Sequence, residues 1–193
     1  MSKILISGYY GFANAGDEAM LTAIIESLRQ VEKNVELTVL SGNPEDTAAK
    51  HQVCSVYRFN PLGIIRAMKD SELIISGGGS LLQDVTSKRS LLYYLSIIGL
   101  GKFFGKKVML FAQGIGPIRA KWARKLTSLV CNEADLITVR DSESAAELIE
   151  MGVKPEKITA TADSVLSLNP VTKECGQYLL QEAGVDLTKP VIG

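Results

Sequence analysis

The strongest constraint on the fold is an alternation of short β-branched runs with amphipathic helical patterns along almost the whole sequence. Each run has the length of a buried strand, and each is followed by a segment with apolar residues at helical spacing. Strands and helices that alternate in this way form right-handed crossovers between parallel strands. The sequence therefore predicts an α/β fold with a Rossmann-like, doubly wound, mostly parallel sheet. The predicted strands are residues 3–7, 35–41, 53–57, 73–76, 108–112, 136–140 and 158–162.

The pattern changes at Asn169-Pro170, where the regular alternation stops. We predict one Rossmann-like domain over residues 1–168, and a linker with the start of a second domain over residues 169–193. The last three residues, 191–193, have the composition of a strand that has just begun. We therefore expect this sequence to be the front half of a longer protein.

Composition excludes several classes of protein. Apolar residues make up 46% of the chain, and the 21 basic residues equal the 21 acidic ones, so neither disorder nor whole-chain electrostatic binding to nucleic acid is expected. The three cysteines are far apart and form no CxxC pair, which argues against a disulfide scaffold or a zinc site. The longest apolar stretch, residues 91–104, contains Ser96 and Lys102 and is too short to span a bilayer. These features predict a cytoplasmic protein.

Charge is balanced overall but not locally, because residues 85–132 contain nine basic residues and no acidic one. One interpretation is that solvated helix faces are basic here. The other is that one face meets a phosphate, a phospholipid headgroup or a lipid pyrophosphate. The apolar helix over 87–104 is mostly core in the first interpretation. In the second, it exposes an apolar ridge beside Lys102, Lys106 and Lys107 and makes peripheral contact with an anionic membrane at the inner face of the cell membrane.

Glycine-rich loops follow several predicted strands, where a doubly wound sheet binds its ligands. In the first loop, residues 8–18, the glycine spacing fits neither the dinucleotide fingerprint nor a P-loop, so no nucleotide cofactor is indicated. Asp17 or Gly16 is a candidate cap of the following helix. Alternatively, Asn14 and Asp17 face the cleft, where a carboxylate can bind or deprotonate a hydroxyl.

Three further loops carry candidate binding residues. The loop over 76–90 has three consecutive glycines, two of them Gly78 and Gly79, and a structural turn would need only one. Gly114 lies in another strand-end loop, and Arg140 ends a strand just before a capped helix, where a guanidinium suits a carboxylate or phosphate. The polar candidates of the first of these loops are Ser80, Gln83, Asp84 and Arg89.

Familiar catalytic sets are missing from the sequence. The single histidine, His51, is predicted to be solvated at the end of a short helix, and no Ser/His/Asp or Cys/His arrangement is present. No cluster has metal-ligand spacing, so no metal is expected. Acid–base chemistry would have to come from carboxylates, tyrosine or lysine.

Taken together, the loops resemble the polysaccharide pyruvyl transferase family, over essentially all of residues 3–168. The resemblance is closest to the bacterial CsaB-type members, which modify a secondary cell-wall polymer. No single motif would suffice, but four of them in order are fairly specific. They are residues 8–19 (GYYGFANAGDEA), 76–84 (SGGGSLLQD), 113–117 (QGIGP) and 139–142 (VRDS).

The resemblance implies two Rossmann-like halves arranged as in GT-B glycosyltransferases, with the active site in the cleft between them. It implies transfer of pyruvate from phosphoenolpyruvate to N-acetylmannosamine of a lipid-linked polymer, forming a 4,6-ketal without a cofactor, with residues 1–168 on the acceptor side. Asp17 would be the base or a sugar ligand, and Arg140 an anion clamp. The implied substrate contacts are Asn14, Gly78, Gly79, Ser80, Gln83, Asp84, Arg89 and Gly114.

Two other functions stay open at this point. One is half of a GT-B-type glycosyltransferase that uses a sugar nucleotide, and the other is a non-catalytic module that binds a glycan or an anion. The chain offers no convincing general acid, and in the family a histidine and further basic groups come from the second half. We therefore expect the whole protein to be catalytic and this chain to be inactive by itself.

Overall fold

The computed structural model describes residues 2–187 and 189 and contains one parallel sheet. The strand order is β3-β2-β1-β4-β5-β6-β7, and every pair of neighbouring strands is parallel. This confirms the predicted α/β, Rossmann-like, doubly wound sheet. The strands are β1 (Lys3–Tyr10), β2 (Glu36–Ser41), β3 (Cys54–Tyr57), β4 (Leu73–Gly77), β5 (Lys107–Gln113), β6 (Leu136–Val139) and β7 (Ile158–Ala160).

Helices connect the strands, and side-chain caps fix where several of them begin. Asn14, Asn43 and Asn60 each accept hydrogen bonds from backbone N–H groups in the first turn of the following helix, which satisfies donors that the helix itself leaves free. The helices are α1 (Ala15–Val31), α2 (Pro44–His51), α3 (Pro61–Asp70), α4 (Lys88–Phe103), α5 (Lys121–Glu133), α6 (Ser142–Glu150) and α7 (Lys173–Glu182).

Both faces of the sheet are covered, so the central strands are apolar on both sides. Neighbouring residues of β1 show this: Leu5 packs into one apolar cluster with Ile98 of α4, and Ile6 packs into another with Ile24 of α1. Each of these four side chains is fully buried. Burial of a side chain of this size contributes roughly 1.5–3 kcal/mol to stability, so the two layers hold the sheet in place.

Most of the apolar surface of α4 belongs to the core. Five of its apolar residues are buried, whereas Leu92, Leu100 and Phe103 are exposed and Tyr93 is partly buried. The nearby lysines also have partners: Lys102 Nζ and Lys107 Nζ lie 2.7 Å and 3.3 Å from the Asp135 carboxylate, and Lys106 Nζ donates to the Lys69 carbonyl. The exposed ridge is therefore smaller than the sequence allows. The buried α4 residues are Leu91, Tyr94, Leu95, Ile97 and Ile98.

The chain after β7 packs less tightly than the sheet. A 3-10 turn, Ser164–Ser167, lies against α1, but none of the ten residues of α7 is buried. The boundary predicted at residue 168 stays a prediction, and the strand predicted to begin at residue 191 lies outside the described residues. Among the helices of the described part, none is long and apolar enough to cross a bilayer.

The strand order changes direction between β1 and β4, the third and fourth of the seven strands across the sheet. Connections from β1 run to one side through β2, and those from β4 run to the other side through β5. The loops after the two strands therefore diverge and leave a crevice at their carboxyl ends, which is where open α/β sheets bind ligands.

Candidate functional site

A cavity of about 390 Å³ opens at this crevice, between the loop after β1 and the loop after β4. It brings together four of the residues that the sequence singles out, from two loops separated by more than sixty positions. Its size is within the usual range for a small-molecule site. The lining residues are Tyr9, Asn14, Asp17, Ser80, Leu81, Gln83, Thr86, Ser90 and Tyr94.

Asn14, and not Asp17 or Gly16, caps α1. The Asn14 Oδ1 atom accepts hydrogen bonds from the backbone N–H groups of Gly16 at 3.1 Å and Asp17 at 3.2 Å. An asparagine is as good a cap as an aspartate, and its position one residue before the helix meets the geometric requirement. The expectation that Asp17 or Gly16 is the cap is therefore wrong, and the Asp17 carboxylate is left facing the cavity.

The environment of Asp17 disfavours its charge. Burial is the main cause that raises the pKa of its carboxyl group above the ordinary value, and the neighbouring charge of Glu18 raises it further. Within residues 2–187 and 189, no hydrogen bond lowers this pKa in compensation. A half-buried carboxylate with a raised pKa in a cleft is a candidate for acid–base work.

Gly79 allows the second loop to pass close to this carboxylate. Its φ of +75° is in the left-handed region, and a Cβ atom there would lie 3.1 Å from Asp17 Oδ1 and 3.3 Å from the end of Met20. Gly78, with φ +40°, lies against the same methionine. The glycine run thus has a specific reason: a side chain at position 79 would occupy the space beside Asp17.

Ser80 connects the cavity to Arg140. The Arg140 Nη2 atom donates to Ser80 Oγ at 3.2 Å, and Ser80 itself lines the cavity. Gly114 makes this approach possible, because a Cβ atom at that position would lie 2.7 Å from both Arg140 Nε and Ser80 Oγ. Three strand ends, those of β4, β5 and β6, therefore meet at this point.

The charge of Arg140 is compensated by two carboxylates. Its Nε lies 3.3 Å from Asp141 Oδ2, and its Nη1 lies 3.7 Å from Asp163 Oδ2. Asp141 also caps α6 by accepting from the Ser144 N–H. The Ser144 side chain is the main cause that lowers the pKa of Asp141, and the bond from the Ser144 N–H lowers that pKa further. The guanidinium is thus held in a fixed orientation, with partners that an incoming anion could replace.

The other predicted contacts are placed differently. Gln83 lines the cavity and forms two hydrogen bonds with Thr86. Asp84 accepts the backbone N–H groups of Arg119 and Ala120, both at 2.9 Å, and these bonds lower the pKa of Asp84. Arg89 is exposed in the first turn of α4 and does not line the cavity. Asp84 therefore holds the backbone of the loop before α5 in place. Contact of Asp84 or Arg89 with a substrate stays a prediction.

Two residues have surroundings that the sequence does not indicate. Arg58, just after β3, is 5% exposed and lies among aromatic rings, although nothing in the local pattern distinguished it from a surface arginine. His51 was predicted to be solvated, but its side chain is 10% exposed and its Nε2 lies 3.6 Å from Glu18 Oε2. The prediction for His51 is wrong because α2 packs its last turn against α1, where Arg29 donates to the His51 carbonyl.

Two other kinds of site, a metal centre and a second cavity, were considered among the described residues. Within residues 2–187 and 189, no three or more His, Cys, Asp or Glu residues cluster in a way that could hold a metal ion. A second cavity, of about 480 Å³, lies where β1, β2 and β3 begin and includes Lys3, Glu36 and Cys54 in its lining. Because ligands of such sheets bind at the opposite, carboxyl edge, the cavity beside Asp17 is the better candidate.

Similar solved structures include several proteins with sugar-nucleotide ligands. Anabaena HepE in complex with UDP and glucose is 12% identical with a TM-score of 0.60, covering 95% of this chain and 50% of that protein. A Rickettsia africae glycosyltransferase is 11% identical with a TM-score of 0.57, covering 98% and 51%. The Neisseria meningitidis UDP-GlcNAc 2-epimerase bound to UDP-GlcNAc is 12% identical with a TM-score of 0.55, covering 86% and 47%. At these identities the likeness concerns the fold, and this chain spans about half the length of each.

Sequence comparisons identify the family. A search of curated proteins returned no significant match. The family model described as polysaccharide pyruvyl transferase matches residues 14–177. This range includes Ser80, Gly114 and Arg140, and every residue of the cavity lining except Tyr9. Because the match extends over most of the sequence, this chain belongs to the polysaccharide pyruvyl transferase family.

Proposed function

We propose that this chain is the acceptor-side domain of a CsaB-type enzyme. The enzyme transfers pyruvate from phosphoenolpyruvate to N-acetylmannosamine of a lipid-linked secondary cell-wall polymer and forms a 4,6-ketal. Membership of the pyruvyl transferase family supports the reaction class. The location of the cavity, at the crevice between β1 and β4, supports its use as the acceptor site.

The observation that carries the proposal is the Asp17 carboxylate. It lines the cavity and is free of the capping role, and burial raises its pKa. A carboxylate with a raised pKa is a stronger base than an ordinary one, yet it stays ionised at neutral pH when the increase is modest. Asp17 is thus suited to accept a proton from a sugar hydroxyl as the oxygen of that hydroxyl forms its bond.

The reaction needs three further contributions. The methylene carbon of phosphoenolpyruvate takes up a proton, the adjacent carbon becomes electron-deficient, and two acceptor hydroxyls bond to that carbon as its bond to the phosphate oxygen breaks. The two hydroxyls together lose two protons: one balances the proton gained by the methylene carbon, and the other leaves with the phosphate. Asp17 takes a hydroxyl proton, and Asn14 and Gln83 orient the sugar in the cavity. Arg140 binds the donor carboxylate or phosphate in place of its contacts with Asp141 and Asp163. We assign no general acid to this chain.

The test is Asp17→Asn in a full-length enzyme that contains this domain. We expect turnover to fall about 100-fold or more, as for loss of a general base, with the fold intact. Asp46→Asn is the matched control, because Asp46 occupies the first turn of α2 and forms an ion pair with Lys50 away from the cavity. Near-normal turnover of the Asp17 variant, or an equal loss in the Asp46 variant, would remove Asp17 from the mechanism.

A sugar-nucleotide glycosyltransferase is the second candidate. It is favoured by the structural likeness to proteins solved with UDP, UDP-glucose or UDP-GlcNAc. Phosphoenolpyruvate and a panel of UDP-sugars, each offered with the same N-acetylmannosamine acceptor, would distinguish the two functions. Consumption of phosphoenolpyruvate with release of phosphate supports the pyruvyl transferase.

The proposed location is the cytoplasm, with the enzyme meeting its lipid-linked acceptor at the inner face of the membrane. Direct contact of this chain with anionic lipid stays a prediction. Lys102 and Lys107 already form ion pairs with Asp135, which reduces the positive charge that they can present to a lipid headgroup. These lysines also lie where α4 ends and β5 begins, at the opposite edge of the sheet from the cavity. Sedimentation of the chain with anionic vesicles at low salt would support the contact.

A further inference from the structure

Five aromatic rings surround the buried guanidinium of Arg58. Its Cζ lies 4.4 Å from the centroid of the nearest ring and 5.9 Å from the farthest. Within the described part of the chain, no carboxylate forms an ion pair with this arginine. Its guanidinium donates hydrogen bonds to the Gly8 carbonyl at 3.4 Å and to the Tyr94 hydroxyl at 3.3 Å. The rings belong to Tyr9, Phe12, Phe59, Tyr93 and Tyr94.

This arrangement orders rings from three separate parts of the chain. A buried charge without a counterion is costly, so the electron-rich ring faces and the two oxygen acceptors must remain in place around the Arg58 guanidinium. Tyr9 comes from the end of β1 and Phe12 from the loop that follows it. Phe59 comes from the loop after β3, and Tyr93 comes from α4. Arg58 therefore fixes the relative positions of side chains that loops alone would leave mobile.

Three of the ordered rings are also exposed, although aromatic side chains usually contribute to cores. Tyr9 is 41% exposed, Phe12 is 40% and Phe59 is 61%. Tyr9 and Phe12 are stacked, with centroids 4.4 Å apart and planes 11° from parallel. Phe59 lies beside the same guanidinium, with its centroid 5.3 Å from Arg58 Cζ. We call these three exposed rings around Arg58, Tyr9, Phe12 and Phe59, the aromatic platform.

The platform is continuous with the cavity beside Asp17. Tyr9 belongs to both, since it lines the cavity and stacks on Phe12. Tyr94 lines the cavity and accepts a hydrogen bond from Arg58 beneath the platform. A ligand that fills the cavity and continues outward past Tyr9 therefore meets the platform next.

We propose that the platform binds the hexose ring adjacent to the sugar held in the cavity, so that the site recognises at least two residues of a glycan. The inference rests on the proposed function, in which the cavity holds the acceptor sugar. A hexopyranose presents a C–H face that packs on an aromatic ring, while its hydroxyl groups stay in water at the ring edge. Exposed, pre-positioned rings suit such a ligand because little freedom is lost when it binds.

The experiment measures binding to this chain by titration calorimetry. The ligands are the methyl glycoside of N-acetylmannosamine and a disaccharide with N-acetylmannosamine at its non-reducing end. We expect the disaccharide to bind about tenfold more tightly, a difference of about 1.4 kcal/mol. Phe12→Ala combined with Phe59→Ala should remove that difference. Phe59→Ala alone, at the most exposed of the three rings, should reduce it.

Phe103→Ala is the matched control. Phe103 is 80% exposed and lies at the end of α4, far along the helix from Tyr93 and Tyr94. This variant should keep the full preference for the disaccharide. An equal loss of preference in the Phe103 variant would show that general surface apolarity, and not the platform, is responsible.

The outcomes separate the platform from the proposed function. If the unaltered chain binds both ligands equally well, the platform does not bind a second sugar and the inference is wrong, while the cavity remains an acceptor site. If neither ligand binds, the proposed function fails and the platform with it. If only the disaccharide binds and the Phe12 and Phe59 changes abolish binding, the platform stands and the cavity assignment fails. If those changes alter the sedimentation of the chain and not its affinity, the platform is a contact between copies of the chain and the inference is wrong.

Discussion

Replacing Gly79 by alanine tests whether the glycine run serves the Asp17 cavity. The change adds one methyl group to a residue with φ +75°, a conformation that costs an L-residue roughly 1–2 kcal/mol. The same methyl group would lie 3.1 Å from Asp17 Oδ1 and 3.3 Å from the end of Met20. Two effects are therefore expected, one on the backbone and one on the carboxylate.

Gly105→Ala separates these effects. Gly105, after α4, has φ +68°, and a Cβ atom there meets nothing within 4 Å. Both variants should lose about 1 kcal/mol of unfolding free energy, which lowers the melting temperature by about 2–4 °C in a chain of this length. The crowding at Gly79 adds little to this loss, because the ends of Met20 and Asp17 can move by a few tenths of an ångström.

The effect on activity should differ between the two variants. A misplacement of about 1 Å at a catalytic group can cost 100-fold in rate, so a shift of a few tenths of an ångström at Asp17 should lower the turnover of the full-length enzyme about tenfold. Gly105→Ala should turn over normally. Chemical unfolding of this chain and turnover of the full-length enzyme give the two readouts. Equal turnover of the two variants, or a Gly79 variant as stable as the unaltered protein, would refute the reasoning.

Three further variants follow from the charges. Burial raises the pKa of the Asp17 carboxyl group in the folded chain. The fold therefore loses stability as pH rises from the pKa that Asp17 has in the unfolded chain to the pKa that it has in the folded chain. Asp17→Asn should raise the melting temperature at pH 7 but not at pH 3. Burial raises the pKa of Asp135, but hydrogen bonds from Lys102, the Val108 N–H and Lys107 outweigh burial and hold that pKa at about 2. The charged carboxylate therefore stabilises the fold at neutral pH. Asp135→Asn should destabilise the chain at pH 7 and cease to do so as pH falls from about 4 to 2. Arg140→Lys keeps the charge but not the planar fork, so donor saturation kinetics of the full-length enzyme should show a higher KM for phosphoenolpyruvate; unchanged kinetics would leave Arg140 a purely structural role.

The fold could be predicted because its signals are local. Each strand is a short apolar run, and the periodicity of the helices differs from that of the strands, so the seven predicted strands all appear within a few residues of their observed ends. Helix starts were less certain. α1 begins at Ala15, five residues before Met20, the first residue of its apolar pattern, because Asn14 supplies a cap that the apolar periodicity does not indicate.

The site could be predicted only in part, because it depends on which loops meet. The carboxyl ends of parallel strands lie at one edge, and this alone brings Asp17 near Gly79 and Ser80. The topology of the sheet does not determine in which direction a side chain within one of these loops points. Asp84 lies in the same loop as Ser80, yet its carboxylate turns to the backbone of residues 119 and 120.

Arg58 and Arg140 show why an arginine at the end of a strand does not by itself indicate an anion site. Both follow parallel strands at the same edge of the sheet. Arg140 contacts two carboxylates, and because like charges compete for one guanidinium, an anionic donor can take the place of either. Arg58 is held by ring faces, a carbonyl and a hydroxyl, none of which an anion would displace without exposing the rings to water. The difference between the two arginines therefore lies in their neighbours: Arg140 contacts carboxylates, and Arg58 contacts rings and uncharged oxygens. The local sequence around a strand end does not indicate which of the two environments an arginine will have.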